Sequence, residues 1–210
     1  MRRKIVTFDI DGTLTIGHGW FYIASLLGKA DEYLEYTAMF RSGRSGEAEH
    51  LSNLLSIAEG VPVSRIQSIL RSIPKLRNIS TAVRMLSANG LETMLLTHNP
   101  QYVCEWYERR FGFSDHCSAY QPVENGVVCR AGTLRPDKVA WLKQMCAERR
   151  ISPRDVLHVG DSASDAAVFR TTGSGIAVNS RDDETTGSAA AAINTTDMKD
   201  VAKLILNGSE

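Results

Sequence analysis

Two aspartates near the N-terminus are the residues whose type and spacing most directly suggest chemistry. Asp9 and Asp11 stand one residue apart, directly after the apolar, β-branched run Ile5–Phe8, which predicts a buried strand. Carboxylates this close repel each other unless a cation or a shared proton relieves them. Mg²⁺ prefers oxygen ligands, so the pair predicts a Mg²⁺ site at a strand end. Gly12 then permits a sharp turn of the backbone.

Two more apolar runs end in polar residues, and a lysine begins a predicted helix between them. In an open parallel sheet, sites form at the carboxyl ends of the strands, so these groups are expected to meet the first pair. A carboxylate can attack phosphorus while others hold Mg²⁺, and a hydroxyl and an ammonium can neutralise the phosphoryl oxygens. The sequence therefore favours phosphoryl transfer. The residues concerned are Thr97, His98, Asn99, Lys138, Asp161, Ser162, Ser164 and Asp165.

The rest of the chain divides into a helical block and an alternating block. Between Gly17 and about Asn78, apolar residues recur at helical spacing with polar breaks, which predicts a small helical insertion after the first strand. From Thr81 onward, helix and strand patterns alternate, which predicts an α/β fold with a mostly parallel sheet covered on both faces. Asn125-Gly126 predicts a hairpin, and the polar segment Arg181 to Ser188 is expected to be a loop.

Composition excludes several classes of protein. The chain has 210 residues, 43% hydrophobic and 23% charged, with a formal net charge of zero, which is typical of an ordinary soluble globular protein and does not suggest nucleic acid as a partner. No apolar run approaches the roughly 18 residues of a membrane span. Four scattered cysteines and the absence of a signal peptide predict free thiols and a cytoplasmic protein.

The order and wording of these motifs resemble the haloacid dehalogenase (HAD) superfamily of phosphatases. The four motifs are Asp9-Ile10-Asp11-Gly12-Thr13-Leu14-Thr15, Thr97, Lys138, and Gly160-Asp161-Ser162-Ala163-Ser164-Asp165. The resemblance covers Lys4 to about Val178. It implies a three-layer, Rossmann-like α/β core with a parallel sheet and a small helical cap inserted after the first strand. Residues 1–16 and 79–210 are assigned to the core and residues 17–78 to the cap.

The resemblance also implies roles for the catalytic residues. Asp9 would be the nucleophile that becomes an aspartyl-phosphate. Asp11 would protonate the leaving oxygen and then activate the hydrolytic water. Thr97 and Lys138 would hold the phosphoryl oxygens, and Lys138 would also steady Asp9.

The metal site follows from the same resemblance. Mg²⁺ would be held by Asp9, by the backbone carbonyl of Asp11 and by Asp161, with Asp165 in or just behind that shell. Ser164 stands where the family often has Asn, a departure that could alter the outer shell of the metal.

The cap is similar to that of phosphoserine phosphatases, which share this layout, but it departs from them where the substrate would bind. Those enzymes carry a Glu shortly after the first motif and an Arg in the cap. This chain has His18 and Leu51 at those positions. Arg41 or Arg44 is one hypothesis for a replacement cation.

The histidines are open to more than one interpretation. His18 could contact the substrate or pack in the cap. His98 could line the pocket or only fill the turn before Pro100, and with Asn99 it stands where phosphoserine phosphatases usually have Gly-Gly. His158 lies inside a predicted buried strand and is interpreted as a core histidine.

The combined prediction is a Mg²⁺-dependent phosphomonoester hydrolase that acts through an aspartyl-phosphate on a small phosphorylated metabolite, with phosphoserine the nearest named substrate. The alternatives are a phosphotransferase or mutase of the same superfamily, and a phosphoprotein phosphatase or regulatory module. A monomer or homodimer is expected, with neither nucleic acid nor membrane as a partner.

Overall fold

A six-stranded parallel sheet forms the centre of the computed structural model, which describes residues 4–132, 134 and 137–208. Its strands are β1 (Ile5–Phe8), β2 (Glu92–Pro100), β3 (Asp115–Ala119), β6 (Val156–Gly160), β7 (Gly175–Val178) and β8 (Ala191–Ile193). They lie in the order β3-β2-β1-β6-β7-β8, and every pair is parallel. The predicted α/β class is confirmed. Residues 1–3, 133, 135–136 and 209–210, which the domain prediction assigns to the core, lie outside the described residues.

The register of the central strands decides where the site forms. All four residues of β1 are buried, and the strand pairs with β2 on one side and β6 on the other. Phe8 lies opposite both Leu95 and Val159. The residues that follow these three positions therefore leave the sheet at the same edge.

Helices cover both faces of the sheet, as the alternating pattern predicts. They are α5 (Ile79–Ala88), α6 (Gln101–Phe111), α7 (Lys138–Arg149), α8 (Ala163–Thr172), α9 (Asp183–Ser188) and α10 (Met198–Asn207). Side chains of β2 alternate between the two faces: Leu95 joins the cluster that contains α5, α6 and α10, whereas Met94 and Leu96 pack with α7.

The prediction of a loop from Arg181 to Ser188 is wrong in part, because α9 occupies most of it. The helix begins after Asp182, whose carboxylate accepts a hydrogen bond from the backbone N–H of Thr185 at 2.9 Å. An aspartate that caps a helix in this way satisfies one of its free N–H groups. The polar composition conceals this short helix.

Four helices fill the segment between β1 and α5. They are α1 (Gly19–Leu26), α2 (Ala30–Arg41), α3 (Glu47–Ser56) and α4 (Val63–Ser72). Their buried side chains, such as Leu55 of α3 and Ile66 of α4, belong to the same hydrophobic cluster as Phe8. The helical insertion is therefore packed onto the α/β core rather than separate from it.

A small hairpin joins this insertion to the core. Its strands are β4 (Val123–Glu124) and β5 (Val127–Val128), and the predicted Asn125-Gly126 turn has positive φ at both residues, as a tight hairpin requires. The Gly60 N–H donates to the Val128 carbonyl at 2.9 Å, and the Val128 N–H donates to the Val61 carbonyl at 3.0 Å. The hairpin thus holds the α3–α4 loop against the core.

Among the helices of the described residues, none has the length and apolar character needed to cross a membrane.

Candidate active site

A cavity of about 280 Å³ lies between the carboxyl edge of the sheet and three of the inserted helices, α1, α2 and α3. The sheet side of this cavity is lined by residues from all three predicted strand ends and by the lysine of α7. The sequence analysis predicts that these residues meet. These core residues include Asp9, Asp11, Thr97, Asn99, Lys138 and Asp161.

Lys138 occupies the first position of α7 and connects two aspartates. Its Nζ lies 3.0 Å from Asp9 Oδ1 and 2.7 Å from Asp165 Oδ1, and the residue is 4% exposed. Burial works against the charged ammonium, but the carboxylates of Asp165 and Asp9 outweigh it and hold the pKa of Lys138 above its usual range. Lys138 is therefore a buried, permanently charged group beside Asp9 and not a surface lysine.

Asp165 uses both of its oxygens inside the protein. Oδ1 accepts hydrogen bonds from Lys138 Nζ at 2.7 Å and from His158 Nε2 at 2.9 Å. Oδ2 accepts from the backbone N–H groups of Asp161 and Ser162, at 3.1 and 3.0 Å, and from the Ser162 hydroxyl at 2.8 Å. Burial opposes ionisation, but Lys138 and His158 outweigh it, so the pKa of Asp165 lies well below its usual range.

His158 is a core histidine, as interpreted from the sequence. It is fully buried in β6. Nε2 faces Asp165, so Nε2 carries the proton and Nδ1 accepts from the Thr7 hydroxyl at 2.8 Å. The imidazole is thereby committed to orienting Asp165 and has no free nitrogen for a substrate.

The remaining carboxylates carry more negative charge than the protein neutralises. Burial, together with the charges of Asp165 and Asp11, raises the pKa of Asp9 against the opposing effect of Lys138. Burial and the charges of Asp9 and Asp165 raise the pKa of Asp161 to about 8. Oxygens of Asp9, Asp161 and Asp165 lie within 4.8 Å of one another. A hard divalent cation fits this set of oxygen donors and would relieve the repulsion.

Gly12 makes the close approach of the first and last motifs possible. Its φ is +78°, and a Cβ built on it would lie 2.1 Å from Asp161 Oδ2. A side chain at this position would therefore strain the backbone and clash with the Asp161 carboxylate. Beside it, the Thr13 hydroxyl donates to Asp161 Oδ1 at 3.3 Å.

Asp11 is oriented by one contact from the inserted helices and one from β2. Its Oδ1 accepts from the Gly19 N–H, the first of α1, at 2.7 Å, and its Oδ2 accepts from Asn99 Nδ2 at 3.0 Å. A Cβ on Gly19 would lie 2.5 Å from Asp11 Oδ1, so the first turn of α1 can approach only because this residue is glycine.

Thr97 and Asn99 form a buried pair at the end of β2. Asn99 is 4% exposed, and its Nδ2 donates to Thr97 Oγ1 at 3.1 Å as well as to Asp11. Thr97 does not cap the following helix, because α6 begins after Pro100 without a side-chain cap. The Asn99 amide is thus occupied in positioning Asp11, a role that the sequence did not indicate.

His98 lines the cavity and also packs edge-on against Trp141, with ring centroids 5.6 Å apart. Burial and the charge of Lys138 lower the pKa of His98 to about 3, so the imidazole is neutral at physiological pH. Within the described residues, its buried Nε2 has no hydrogen-bond partner.

The wall opposite the aspartates comes from the inserted helices. His18 and Leu51 line it, as do Trp20, Phe40, Glu47, His50 and Leu54. Arg41 and Arg44 do not line it, so the hypothesis of a replacement arginine finds no support. The sequence analysis missed Glu47 and the stacked rings of Phe40 and His50, whose centroids are 4.4 Å apart. No sequence signal marks them, because packing of the helices brings them to the cavity.

Comparison with known proteins identifies the class to which this fold and site belong. The family model described as haloacid dehalogenase-like hydrolase matches residues 6–170, a stretch that contains all four motifs. The chain belongs to this family of hydrolases, and the resemblance stated from the motifs is confirmed.

Within the family, the similar curated proteins are phosphoserine phosphatases. The chain is 25% identical over 179 residues to the one from Lactococcus lactis, covering 83% of each chain. It is 24% identical over 186 residues to the one from Archaeoglobus fulgidus, covering 86% of this chain but 54% of that relative. The chain therefore spans about half the length of the archaeal protein.

Solved structures show the same fold. A HAD family hydrolase from Salmonella enterica serovar Typhi aligns with a TM-score of 0.82 at 18% identity, over 91% of this chain and 67% of that one. A substrate-bound phosphoserine phosphatase complex aligns with a TM-score of 0.80 at 18% identity, over 97% and 99% of the two chains.

Proposed function

We propose that this protein is a Mg²⁺-dependent phosphomonoester hydrolase that acts on a small phosphorylated metabolite through an aspartyl-phosphate. The observation that carries the proposal is the buried contact of Asp9 with Lys138, opposite a separately oriented Asp11. A nucleophile, an ammonium for the phosphoryl oxygens and an acid–base group then face one cavity.

Asp9 attacks phosphorus in the first step, while Lys138 holds Asp9 Oδ1 and attracts the transferring phosphoryl group. Asp11 donates its proton to the leaving alcohol oxygen, so that a neutral alcohol departs. In the second step Asp11 removes a proton from water, which attacks the aspartyl-phosphate and releases inorganic phosphate and free Asp9. The contacts from Gly19 and Asn99 hold Asp11 in place for both proton transfers.

Asp9, Asp161 and the backbone carbonyl of Asp11 are the proposed ligands of Mg²⁺. When bound, the ion supplies charge that stabilises the phosphoryl oxygens. Asp165 has all of its hydrogen-bonding capacity in use, so we assign it a place behind this shell, where it orients Lys138 and the Asp161 backbone. Thr97, His98 and Asn99 surround the phosphoryl end, and His18 borders the leaving group.

Phosphoserine is the substrate that the names of the relatives suggest, and it is the second, narrower candidate. The likeness of sequence over most of the chain favours it. The absence of an arginine from the cavity wall, within the described residues, weighs against it. The proposal also assigns residues 17–78 to a cap and expects a monomer or homodimer. It places the protein in the cytoplasm, and the four free cysteines support that location.

The test is phosphate release from a panel of phosphomonoesters, with and without Mg²⁺ and with no alcohol acceptor present. Release that requires Mg²⁺ and is lost in Asp9→Asn is expected. Transfer that occurs only when a second alcohol is added would instead identify a phosphotransferase. Release by Asp9→Asn at the wild-type rate would refute the proposed nucleophile.

A further inference from the structure

The cavity has two ends of opposite character. At the sheet end are the aspartates and Lys138, which suit a phosphoryl group. At the other end, the inserted helices contribute four apolar side chains, namely Trp20, Phe40, Leu51 and Leu54. If the phosphoryl group sits beside Asp9, the rest of the substrate must lie against this second wall.

Charge at the second wall disfavours a carboxylate. Within residues 4–132, 134 and 137–208, Lys138 is the one lysine or arginine that lines the cavity, and it is already paired with Asp9 and Asp165. Glu47, an exposed residue in the first turn of α3, lines the cavity and adds a negative charge. A substrate carboxylate would lose its water and meet the like charge of Glu47, with no lysine or arginine of the described part of this wall to pair with it.

Aromatic groups dominate the wall. Trp20 is 4% exposed, whereas Phe40 is 40% exposed and its ring stacks on His50 with an interplanar angle of 8°. A flat apolar group could cover the exposed face of this stack and exchange water contact for ring contact. Within the described residues, this wall offers no lysine or arginine that could anchor a short anionic group.

We infer that the substrate is a phosphomonoester whose alcohol carries an aromatic ring or a similarly apolar group and has no carboxylate. This inference rests on the proposed hydrolase function and narrows it to one substrate class. Phe40 and Glu47 are the residues that determine the specificity: Phe40 attracts the ring and Glu47 repels an acid.

Two substrate pairs test this without changing the chemistry of the reacting bond. Phosphoethanolamine is phosphoserine without the carboxylate, and benzyl phosphate differs from ethyl phosphate by a ring on an alkyl alcohol. For the Mg²⁺-loaded full chain, kcat/KM is expected to be at least roughly tenfold higher for phosphoethanolamine than for phosphoserine. It should also be at least roughly tenfold higher for benzyl than for ethyl phosphate, since differences of a few apolar atoms give such ratios.

Variants connect each preference to its residue. Phe40→Ala should reduce the benzyl-to-ethyl ratio by roughly tenfold, whereas Phe21→Ala, which removes an equally exposed ring outside the cavity, should leave the ratio unchanged. Glu47→Gln should shift the ratio toward phosphoserine by roughly fivefold, from the loss of one repulsive charge. Glu49→Gln makes the same charge change in the same helical turn, away from the cavity, and is its control.

The outcomes separate this inference from the proposed function. Mg²⁺-dependent release with phosphoserine preferred over phosphoethanolamine, or with ethyl phosphate equal to benzyl phosphate, overturns the inference and leaves the hydrolase intact. If none of the four esters releases phosphate under conditions where the chain is folded, the proposed function and the inference both fail.

Discussion

Replacing Asp165 with asparagine changes one buried charge while keeping the shape of the side chain. An amide has one accepting oxygen and one donating nitrogen, whereas the Asp165 carboxylate meets donors at both oxygens. If the amide oxygen faces Lys138, the NH₂ group meets the Asp161 and Ser162 N–H groups and the Ser162 hydroxyl. If it is turned over, the NH₂ group meets the Lys138 ammonium instead. His158 can adapt by changing tautomer, but neither the backbone nor Lys138 can.

The magnitude follows from breaking a buried ion pair. Removing one partner of such a pair costs about 3–5 kcal/mol of unfolding free energy, a large part of the roughly 5–15 kcal/mol that stabilises a typical protein. For a chain of this length, each kcal/mol lowers Tm by about 2–4 °C, so Asp165→Asn should lower Tm by about 6–20 °C. Since Lys138 would also lose its orientation, kcat should fall on the order of 10–100-fold, as for other supporting residues.

Thermal unfolding followed by circular dichroism gives the first quantity and phosphate release from a phosphomonoester gives the second. Asp31→Asn makes the same substitution at an exposed position in α2 and should cost no more than about 1 kcal/mol. If Asp165→Asn were indistinguishable from Asp31→Asn in both Tm and rate, the account of Asp165 as the residue that orients Lys138 would be refuted.

Three other predictions concern the same edge of the sheet. Asp9→Asn should abolish turnover with Tm preserved, because the proposed nucleophile is lost, while Lys138 keeps its ion pair with Asp165 and a buried charge that repels Asp165 and Asp11 is removed; a normal rate in phosphate release would contradict this. Gly12→Ala should destabilise the chain far more than Gly17→Ala in urea unfolding, since both have positive φ but only the Gly12 Cβ meets Asp161; equal effects would argue against the contact. The pKa of Asp161 is raised to about 8, above the roughly 3.9 of an unfolded aspartate, so the folded metal-free chain binds the proton more tightly and its stability should fall as pH rises from about 4 to 8. Calorimetry should show that Mg²⁺ raises Tm more at pH 8 than at pH 5. Asp161→Asn should weaken both the pH dependence of stability and the effect of Mg²⁺; a Tm that does not respond to Mg²⁺ at either pH would count against the metal site.

The residues at the sheet end of the cavity could be predicted because the local sequence determines their positions. A buried strand such as β1 is recognisable from its β-branched run, and parallel pairing then brings Asp9, Thr97 and Asp161 to one edge whatever the rest of the chain does. The role of Asp165 could not be resolved in this way. Its place in or behind a metal shell depends on which donors reach its oxygens, and these come from β6, α7 and α8 together.

The residues of the second wall could not be predicted from the sequence, for a physical reason. Phe40, Glu47 and His50 come from short helices whose apolar pattern specifies only which face is buried, so their meeting over the cavity depends on how the helices pack. Relatives about 25% identical can therefore share the strand-end motifs and differ in this wall. In the proposed reaction, the sheet end of the cavity carries out the chemistry and the second wall contacts the alcohol. Likeness to phosphoserine phosphatases therefore supports phosphomonoester hydrolysis more strongly than it supports phosphoserine as the substrate. The two substrate pairs test the preference for the alcohol separately from the chemistry, since they keep the phosphoryl group constant and change only the part of the alcohol that contacts the second wall.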